Sequence, residues 1–119
     1  MKKKNLSVSF LLIAIAFTIT FNSSAQSNRT WATYYGGENE ENGYAVATDV
    51  SGNVYLSGYT ESPSDIASGG FQNTHGGGSD AFLVKFDAAG TRLWATYYGG
   101  VYADYGNSIA VDNLGNVYL

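Results

Sequence analysis

An internal repeat constrains this chain more than any other feature. The heptapeptide Trp-Ala-Thr-Tyr-Tyr-Gly-Gly occupies residues 31–37 and again residues 94–100, an offset of 63 residues. Across residues 31–56 and 94–119, 15 of 26 positions are identical without a gap. Identity at this level and at a fixed offset indicates a duplicated structural unit, so the chain is expected to fold as a repeat protein.

One period of the repeat contains four segments with the alternation that is typical of β-strands. In the first unit these segments are residues 45–50, 53–60, 80–87 and 92–98. The composition agrees, because 15 Gly and 10 Tyr in 119 residues with 13% charged residues favour strands and turns over helices. The pattern predicts an all-β fold, a β-propeller built of four-stranded antiparallel blades. A β-solenoid and a tandem β-sandwich are the competing architectures.

The predicted hairpin turns share an aspartate that is followed three residues later by a glycine. The aspartate can accept hydrogen bonds from backbone amides of the turn, and the glycine can adopt positive φ. We therefore predict structural turn roles for one set of residues: Asp49, Gly52, Asn53, Asp87, Gly90, Asp112, Gly115 and Asn116.

The unit resembles the seven-bladed β-propeller (SBBP) repeat family of bacterial exported proteins. The resemblance rests on Asp-Val-Ser-Gly-Asn-Val-Tyr at 49–55, Ser-Gly-Tyr-Thr at 57–60, Gly-Gly-Ser-Asp-Ala-Phe-Leu-Val-Lys at 77–85 and Thr-Tyr-Tyr-Gly-Gly at 96–100. Residues 63–66 depart from the family, which tends to have an Asp-Phe-Pro-rich stretch there. The resemblance implies an extracellular or cell-surface propeller module, in a family without an established common catalytic activity.

Residues 1–25 have the pattern of a secretory signal peptide. Three lysines follow Met1, an apolar run covers residues 6–21, and small residues lead to a cleavage position after Ala25. The apolar run is shorter than the roughly 20 residues that span a bilayer, so we expect a secreted or cell-surface protein without a membrane span after cleavage. Cleavage leaves three basic against ten acidic residues, a net charge of −7 instead of −4. Such a charge disfavours nucleic acid as a partner.

The repeat divides the rest of the chain into three parts. Residues 26–42 hold an N-terminal strand and a connection, residues 43–100 form a complete repeat, and residues 101–119 begin a second, truncated repeat. We expect about one and a half blades of a longer protein, whose remaining blades are partners of this segment. Because blades bury both faces against neighbours, we expect no stable monomer from residues 26–119 alone. The strand at 31–37 could complete the last blade of a closed ring.

Three aspartates are weak candidates for calcium ligands. Asp49 and Asp112 are each followed four residues later by an asparagine, and carboxylate and amide oxygens suit a hard cation. Asp80 lies in a stretch that resembles a calcium-binding nonapeptide, with His75 in place of its first glycine. The spacing does not match an EF-hand loop, and the nonapeptide occurs once instead of in tandem. We therefore predict neither a metal nor a cofactor.

No catalytic residue is predicted. The acidic run at 38–42 is not repeated in the second unit, and His75 has no nucleophile or orienting group nearby in sequence, so we interpret both as solvated loops. The strand aromatics are expected to pack between blades, which leaves Tyr102, Tyr105 and His75 as weak candidates for ligand contact. The sequence predicts a non-enzymatic scaffold that binds protein or glycan. The alternative is part of a hydrolase or lyase whose active site lies in other blades.

Overall fold

A computed structural model describes residues 30–119 of the chain. The predicted signal peptide, residues 1–25, and its cleavage position lie outside the described residues. From residue 30 to residue 119 there is no helix with the length and apolarity needed to cross a membrane.

The described part of the chain is all-β and contains one four-stranded antiparallel sheet. Its strands are β1 (Glu41–Thr48), β2 (Val54–Thr60), β3 (Asp80–Phe86) and β4 (Arg92–Tyr98), in the spatial order of the sequence. A second sheet pairs β5 (Ala110–Val111) with β6 (Val117–Tyr118). The predicted fold class and the four-stranded antiparallel blade are confirmed.

The second sheet repeats the geometry at the start of the first. Ala110 lies opposite Tyr118 in the β5–β6 pair, as Ala47 lies opposite Tyr55 in the β1–β2 pair. Both pairs of positions are related by the 63-residue offset that the sequence shows. The two units therefore share strand register as well as sequence.

Two strand predictions need correction. β1 begins at Glu41 instead of residue 45, because Glu41 pairs with Thr60 at the far end of β2, and it ends before Val50, which lies in the turn. The segment 31–37, predicted as a strand, joins no sheet within the described residues. Its copy in β4 pairs with β3, and β3 is already paired on both sides by β2 and β4.

One side of the four-stranded sheet carries the hydrophobic core, and we call it the core face. Its buried residues are Phe82, Val84 and Phe86 of β3, together with Ala95 and Tyr97 of β4, none more than 5% exposed. Their alternation along each strand is the predicted one.

Residues outside the sheet cover the core face. Trp31 packs against Phe86 with ring centroids 5.7 Å apart, and Tyr35 packs against Phe82 at 5.2 Å. Ile66, from the β2–β3 connection, is fully buried in the same cluster. Phe82 and Phe86 are therefore covered within this segment, which removes part of the reason for expecting no stable monomer and lets unfolding of the 119-residue chain be measured. The expectation of no stable monomer stays a prediction, which the same denaturation experiments test.

The long connection at residues 61–79 runs along the outer edge of β4. The backbone N–H of Ser68 donates to the Ala95 carbonyl (2.9 Å), the Ala95 N–H donates to the Ser68 carbonyl (3.0 Å), and the Tyr97 N–H donates to the Gln72 carbonyl (2.9 Å). An unpaired strand edge is a template for aggregation. The connection therefore covers this edge of the blade.

The sheet has two ends with different character. The turn end carries the short turns at residues 49–53 and 87–91, and the turn at 112–116 of the second sheet lies beside the turn at 49–53. The loop end carries the connections at residues 36–40, 61–79 and 99–109. The face of the sheet opposite the core, the open face, faces the second unit, where the Ser57 hydroxyl donates to the Gly106 carbonyl (3.1 Å).

Candidate functional site

Asp49 organises the β1–β2 turn at the turn end. Its Oδ1 accepts hydrogen bonds from the backbone N–H groups of Ser51 (2.9 Å) and Asn53 (3.0 Å). Its Oδ2 accepts from the Asn53 side-chain amide (2.7 Å) and the Tyr55 hydroxyl (3.0 Å), and Lys85 Nζ lies 3.7 Å away. Both carboxylate oxygens are thus engaged within the turn.

Asp112 repeats this arrangement in the second unit. Its Oδ1 accepts from the backbone N–H groups of Leu114 (2.9 Å) and Asn116 (2.8 Å), and its Oδ2 accepts from the Asn116 amide (2.8 Å) and the Tyr118 hydroxyl (3.2 Å). Hydrogen bonds to a carboxylate favour its charged form. The Asn53 side chain contributes most to lowering the pKa of Asp49 to about 2, and the Asn116 side chain lowers the pKa of Asp112.

Asp87 holds the β3–β4 turn in the same manner. Its Oδ1 accepts from the backbone N–H groups of Ala89 (2.9 Å) and Thr91 (2.8 Å), and Gly90 adopts φ +88°. The glycines at the same position of the other two turns, Gly52 and Gly115, adopt φ +80° and +83°. The turn residues thus form three copies of one hydrogen-bonded turn.

Asp80, the third calcium candidate, is fully buried at the start of β3. Its Oδ2 accepts from the Gly76 N–H (2.7 Å) and from the Gln72 amide (3.4 Å), while its Oδ1 has no hydrogen-bond partner. Among residues 30–119, no three His, Cys, Asp or Glu side chains gather into a group that could hold a metal. Asp80 instead fixes residues 72–76 of the long connection to the sheet.

His75 is half-buried and packs against Tyr97 of the core. Its ring meets the Tyr97 ring edge-on at 5.5 Å, and its Nε2 is buried without a hydrogen-bond partner. The Tyr97 hydroxyl donates to the Ser62 carbonyl (2.9 Å), and burial raises the pKa of Tyr97. The interpretation of His75 as a solvated loop residue is therefore wrong.

Three tyrosines form a cluster at the loop end, which we call the tyrosine cluster. Tyr59 of β2 lies between Tyr44 of β1, at 5.7 Å between ring centroids, and Tyr105 of the β4–β5 connection, at 5.2 Å. Tyr44 and Tyr105 are each 50% exposed. Aromatic rings that pack against one another and remain accessible to solvent are suited to contact a ligand.

Polar groups border the tyrosine cluster. The Tyr59 hydroxyl donates to Glu40 Oε1, and the Asn42 side-chain amide donates both to the Tyr59 oxygen (2.8 Å) and to Glu40 Oε1 (2.7 Å). The hydrogen bond to Glu40 is the main cause of the raised pKa of Tyr59. The cluster therefore combines aromatic surface with an exposed carboxylate.

Only part of this cluster is predicted from the sequence. Tyr105 was a candidate, whereas Tyr44, Glu40 and Asn42 were missed. Asn42 pairs with Tyr59 across the sheet, so extending β1 to Glu41 would have placed the two side chains on one face. Tyr102, the other candidate tyrosine, lies on the connection that carries Tyr105 and is 83% exposed.

The sequence predicted a solvated loop for residues 38–42, and for Glu41 this prediction is wrong. Its Oε1 accepts from the hydroxyls of Thr60 (2.7 Å) and Ser62 (2.6 Å), and its Oε2 accepts from the Gly37 N–H (3.1 Å). This carboxylate joins the N-terminal segment, β2 and the long connection. Glu40, exposed at the neighbouring position, is the acidic residue that faces the tyrosine cluster.

An open groove of about 580 Å³ separates the open face from the second unit. Leu83 of β3, Tyr98 of β4, Tyr105 and Leu119 are among the residues that line it. Tyr98 is 62% exposed and Leu119 49% exposed. The groove and the tyrosine cluster share Tyr105 and lie side by side.

Comparison with known proteins decides the family. The SBBP family, described as a β-propeller repeat, matches residues 30–65 and 93–119, more than half of the chain. The chain belongs to this family. The matched residues include the N-terminal heptapeptide, both aspartate turns with an asparagine, and β4 from Leu93 onward.

A second comparison found a relative whose name describes WD repeats. An uncharacterized WD repeat-containing protein of Acanthamoeba polyphaga mimivirus is 31% identical over 105 residues, which cover 75% of this chain and 8% of that protein. The SBBP chain thus spans a small fraction of the length of the relative it matches. WD repeats form propeller blades, so both comparisons suggest a propeller scaffold or binding module.

Proposed function

We propose that this chain is an exported propeller module that binds a protein partner at the cell surface or outside the cell. The observation that carries the proposal is the tyrosine cluster, in which two half-exposed rings flank Tyr59. Tyrosine is enriched among the residues that dominate the binding energy of protein interfaces, because it offers a large contact area with few rotatable bonds. The propeller blade supplies the rigid support for these rings.

The surroundings of the tyrosine cluster indicate the chemistry of the partner. Glu40 accepts hydrogen bonds there and is exposed, and Tyr102 and Val101 add exposed area on the neighbouring connection, at 83% and 73%. A segment with an aromatic or aliphatic side chain for the rings and a basic or amide group for Glu40 would complement this surface.

We propose binding instead of catalysis as the role of this segment. The support is the engagement of its carboxylates, because Asp49 and Asp112 hold turns and Glu41 joins three segments. These carboxylates accept hydrogen bonds that hold neighbouring segments of the fold together. Export is proposed from the N-terminal pattern of residues 1–25.

We also propose that residues 31–37 act as the fourth strand of another blade, which would close the propeller ring. Tyr34 is fully exposed and Ala32 is exposed as well, whereas Tyr97 and Ala95, the corresponding residues of β4, are buried by β3. A strand of the β3 type alongside residues 31–37 would bury Tyr34 in the same way.

Binding is tested by comparing variants of one chain. Tagged wild-type chain, a Tyr59→Ser/Tyr105→Ser variant and a Tyr34→Ser control are incubated with surface-exposed proteins of the source cells, and captured proteins are quantified by mass spectrometry. We expect a defined protein to be lost about tenfold or more with the cluster variant and retained with the control. Equal capture by all three chains would contradict the proposal. A glycan array with the same variants shows whether the cluster takes a glycan instead.

Export is tested separately by mass spectrometry of the N-terminus after expression in a secreting bacterium. We expect mature protein that begins at Gln26, outside the cytoplasm. Protein retained in the cytoplasm with Met1–Ala25 intact would contradict export and leave the binding proposal to its own test.

A further inference from the structure

A polar pocket of about 340 Å³ lies at the turn end, between the aspartate turns of the two units, and we call it the turn pocket. Its volume lies within the range of about 300–1,000 Å³ that is typical of small-molecule sites. The two turns and the end of β3 line it, and the lining residues include Asp49, Ser51, Asn53, Lys85, Asn113 and Leu114. The turn pocket is therefore formed jointly by two successive units.

The turn pocket is lined at the two turn positions that the turn itself does not determine. Asp, Gly and Asn occupy the first, fourth and fifth positions of both turns, where they make its hydrogen bonds or adopt its positive φ. The second and third positions are Val50 and Ser51 in one turn and Asn113 and Leu114 in the other. Each pair has one polar and one aliphatic side chain, and all four are exposed. These positions are available for contact with a ligand.

Lys85 brings an ammonium group to the turn pocket. Its Nζ lies 3.7 Å from Asp49 Oδ2 and 4.9 Å from the centroid of the Tyr55 ring, so the group is held in place. An ammonium carries three N–H donors. Within residues 30–119, Lys85 donates none of them to a protein acceptor at hydrogen-bond distance. They are therefore available to a ligand.

Other polar groups of the turn pocket also have unused hydrogen-bonding capacity. Asn53 donates through its side-chain nitrogen to Asp49, while its side-chain oxygen accepts no hydrogen bond in the described part of the chain. In the same part of the chain, the Ser51 hydroxyl and the Asn113 side-chain amide make no hydrogen bond. Hydroxyl and amide groups each offer donors and acceptors. The turn pocket therefore presents both kinds of group at short spacing.

The charges and the apolar rim of the turn pocket indicate the class of ligand. The positive charge of Lys85 lies beside the negative charge of Asp49, so the lining favours neither an anion nor a cation. Hydroxyl groups on adjacent carbon atoms both donate and accept, which matches the mixed lining. Leu114 is 88% exposed and offers an apolar surface to the carbon face of a sugar ring.

We infer that the turn pocket binds a neutral saccharide, whose hydroxyl groups bond to Lys85 and Asn113 and whose carbon face contacts Leu114. This site goes beyond the proposed function, because protein binding is assigned to the tyrosine cluster at the opposite end of the sheet. The two sites share no residue.

The test titrates the isotopically labelled full chain with maltose, cellobiose, lactose and chitobiose, and follows the amide resonances by NMR. At least one of these sugars is expected to bind with a dissociation constant of about 1 mM or lower, and to shift the resonances of Asn113 and Leu114. No shift at these residues with any of the sugars up to about 10 mM would overturn the inference. So would tighter binding of inorganic phosphate at the same residues, because it identifies an anion site.

Variants locate the saccharide. Asn113→Ala and Leu114→Asp change exposed side chains, and are expected to raise the dissociation constant about fivefold and about tenfold, respectively. Ala89→Asp is the matched control, because Ala89 is exposed at the same position of the β3–β4 turn and does not line the turn pocket. It should leave the dissociation constant within about twofold of wild type. Equal weakening by Leu114→Asp and Ala89→Asp would contradict contact at Leu114.

The Tyr59→Ser/Tyr105→Ser variant separates this site from the tyrosine cluster. It should bind the saccharide as the wild type does, whether or not it still captures a protein partner. Loss of saccharide binding in this variant, with Asn113→Ala unaffected, would place the sugar at the tyrosine cluster and overturn the inference.

Discussion

The two copies of the Trp-Ala-Thr-Tyr-Tyr-Gly-Gly heptapeptide have the same sequence and opposite environments. In residues 31–37, Trp31 and Tyr35 pack on the core face, while Tyr34 is fully exposed. In residues 94–100, Tyr97 is buried in its own sheet, while Tyr98 is 62% exposed. At the fourth and fifth positions, each copy therefore buries the tyrosine that the other copy leaves exposed.

The difference shows that the heptapeptide has two interfaces. Side chains at its second and fourth positions belong to the core of the sheet in which it is the fourth strand. Side chains at its first and fifth positions pack on the third strand of the next unit. Because a strand alternates its side chains between two faces, seven residues can serve both contacts.

The largest effect is expected at the fourth position of the heptapeptide. Tyr97→Ala removes a fully buried ring and the hydroxyl that donates to Ser62, and should lower the free energy of unfolding by about 3–5 kcal/mol. Tyr34→Ala, the same change in the other copy, should stay within about 0.5 kcal/mol because Tyr34 is exposed. Urea denaturation followed by tryptophan fluorescence measures both. Similar losses would contradict the difference between the copies.

The fifth position should show the reverse order. Tyr35→Ala removes ring contacts with Phe82 and Phe86 and a hydrogen bond to the Ile66 carbonyl, and should destabilise by about 2–3 kcal/mol. Tyr98→Ala in the 119-residue chain should change the free energy of unfolding by less than about 1 kcal/mol. The same denaturation experiment applies, and a larger loss for Tyr98→Ala would refute the assignment of the two faces.

A smaller effect separates two glycines of the aspartate turns. At Gly90, with φ +88°, a Cβ would lie 2.7 Å from the ring of Trp31, so Gly90→Ala combines backbone strain with a clash and should destabilise by about 2 kcal/mol. At Gly115, with φ +83°, no atom lies within 4 Å of that Cβ, so Gly115→Ala should show strain alone, about 1 kcal/mol. Thermal denaturation of the two variants measures the difference, which should vanish in a Trp31→Ala background.

The smallest effect concerns pH. The pKa of Asp49 is about 2 in the folded chain and is near its ordinary value of 3.8 after unfolding. Its contribution to stability is therefore complete above about pH 4 and is lost as the pH falls through 2. Asp49→Asn should flatten the acid limb of the stability curve, measured by urea midpoints from pH 5 to about 2. An unchanged acid limb would show that the turn hydrogen bonds do not favour the charged carboxylate.

Much of the fold follows from local sequence rules. The aspartate and glycine spacing identifies the turns, and the period-two pattern places Phe82, Val84 and Phe86 on one face. Contacts between distant segments could not be predicted in this way, because the alternation of side chains along one strand does not encode them. Three features depend on such contacts: the cover of that face by Trp31 and Tyr35, the pairing of residues 68–72 with β4, and the tyrosine cluster. β1 was predicted too short because its first residues are polar.

Residue-specific tyrosine labelling tests the two-interface account most directly. Native chain is treated with a nitrating reagent and each tyrosine is quantified by mass spectrometry. Fast reaction is expected at Tyr34 and Tyr98, and slow reaction at Tyr35 and Tyr97, whose pKa values are raised by burial. The slowly reacting tyrosine is therefore the second of the Tyr-Tyr pair in residues 31–37 and the first of the pair in residues 94–100. The same order of reactivity in both copies would contradict the account.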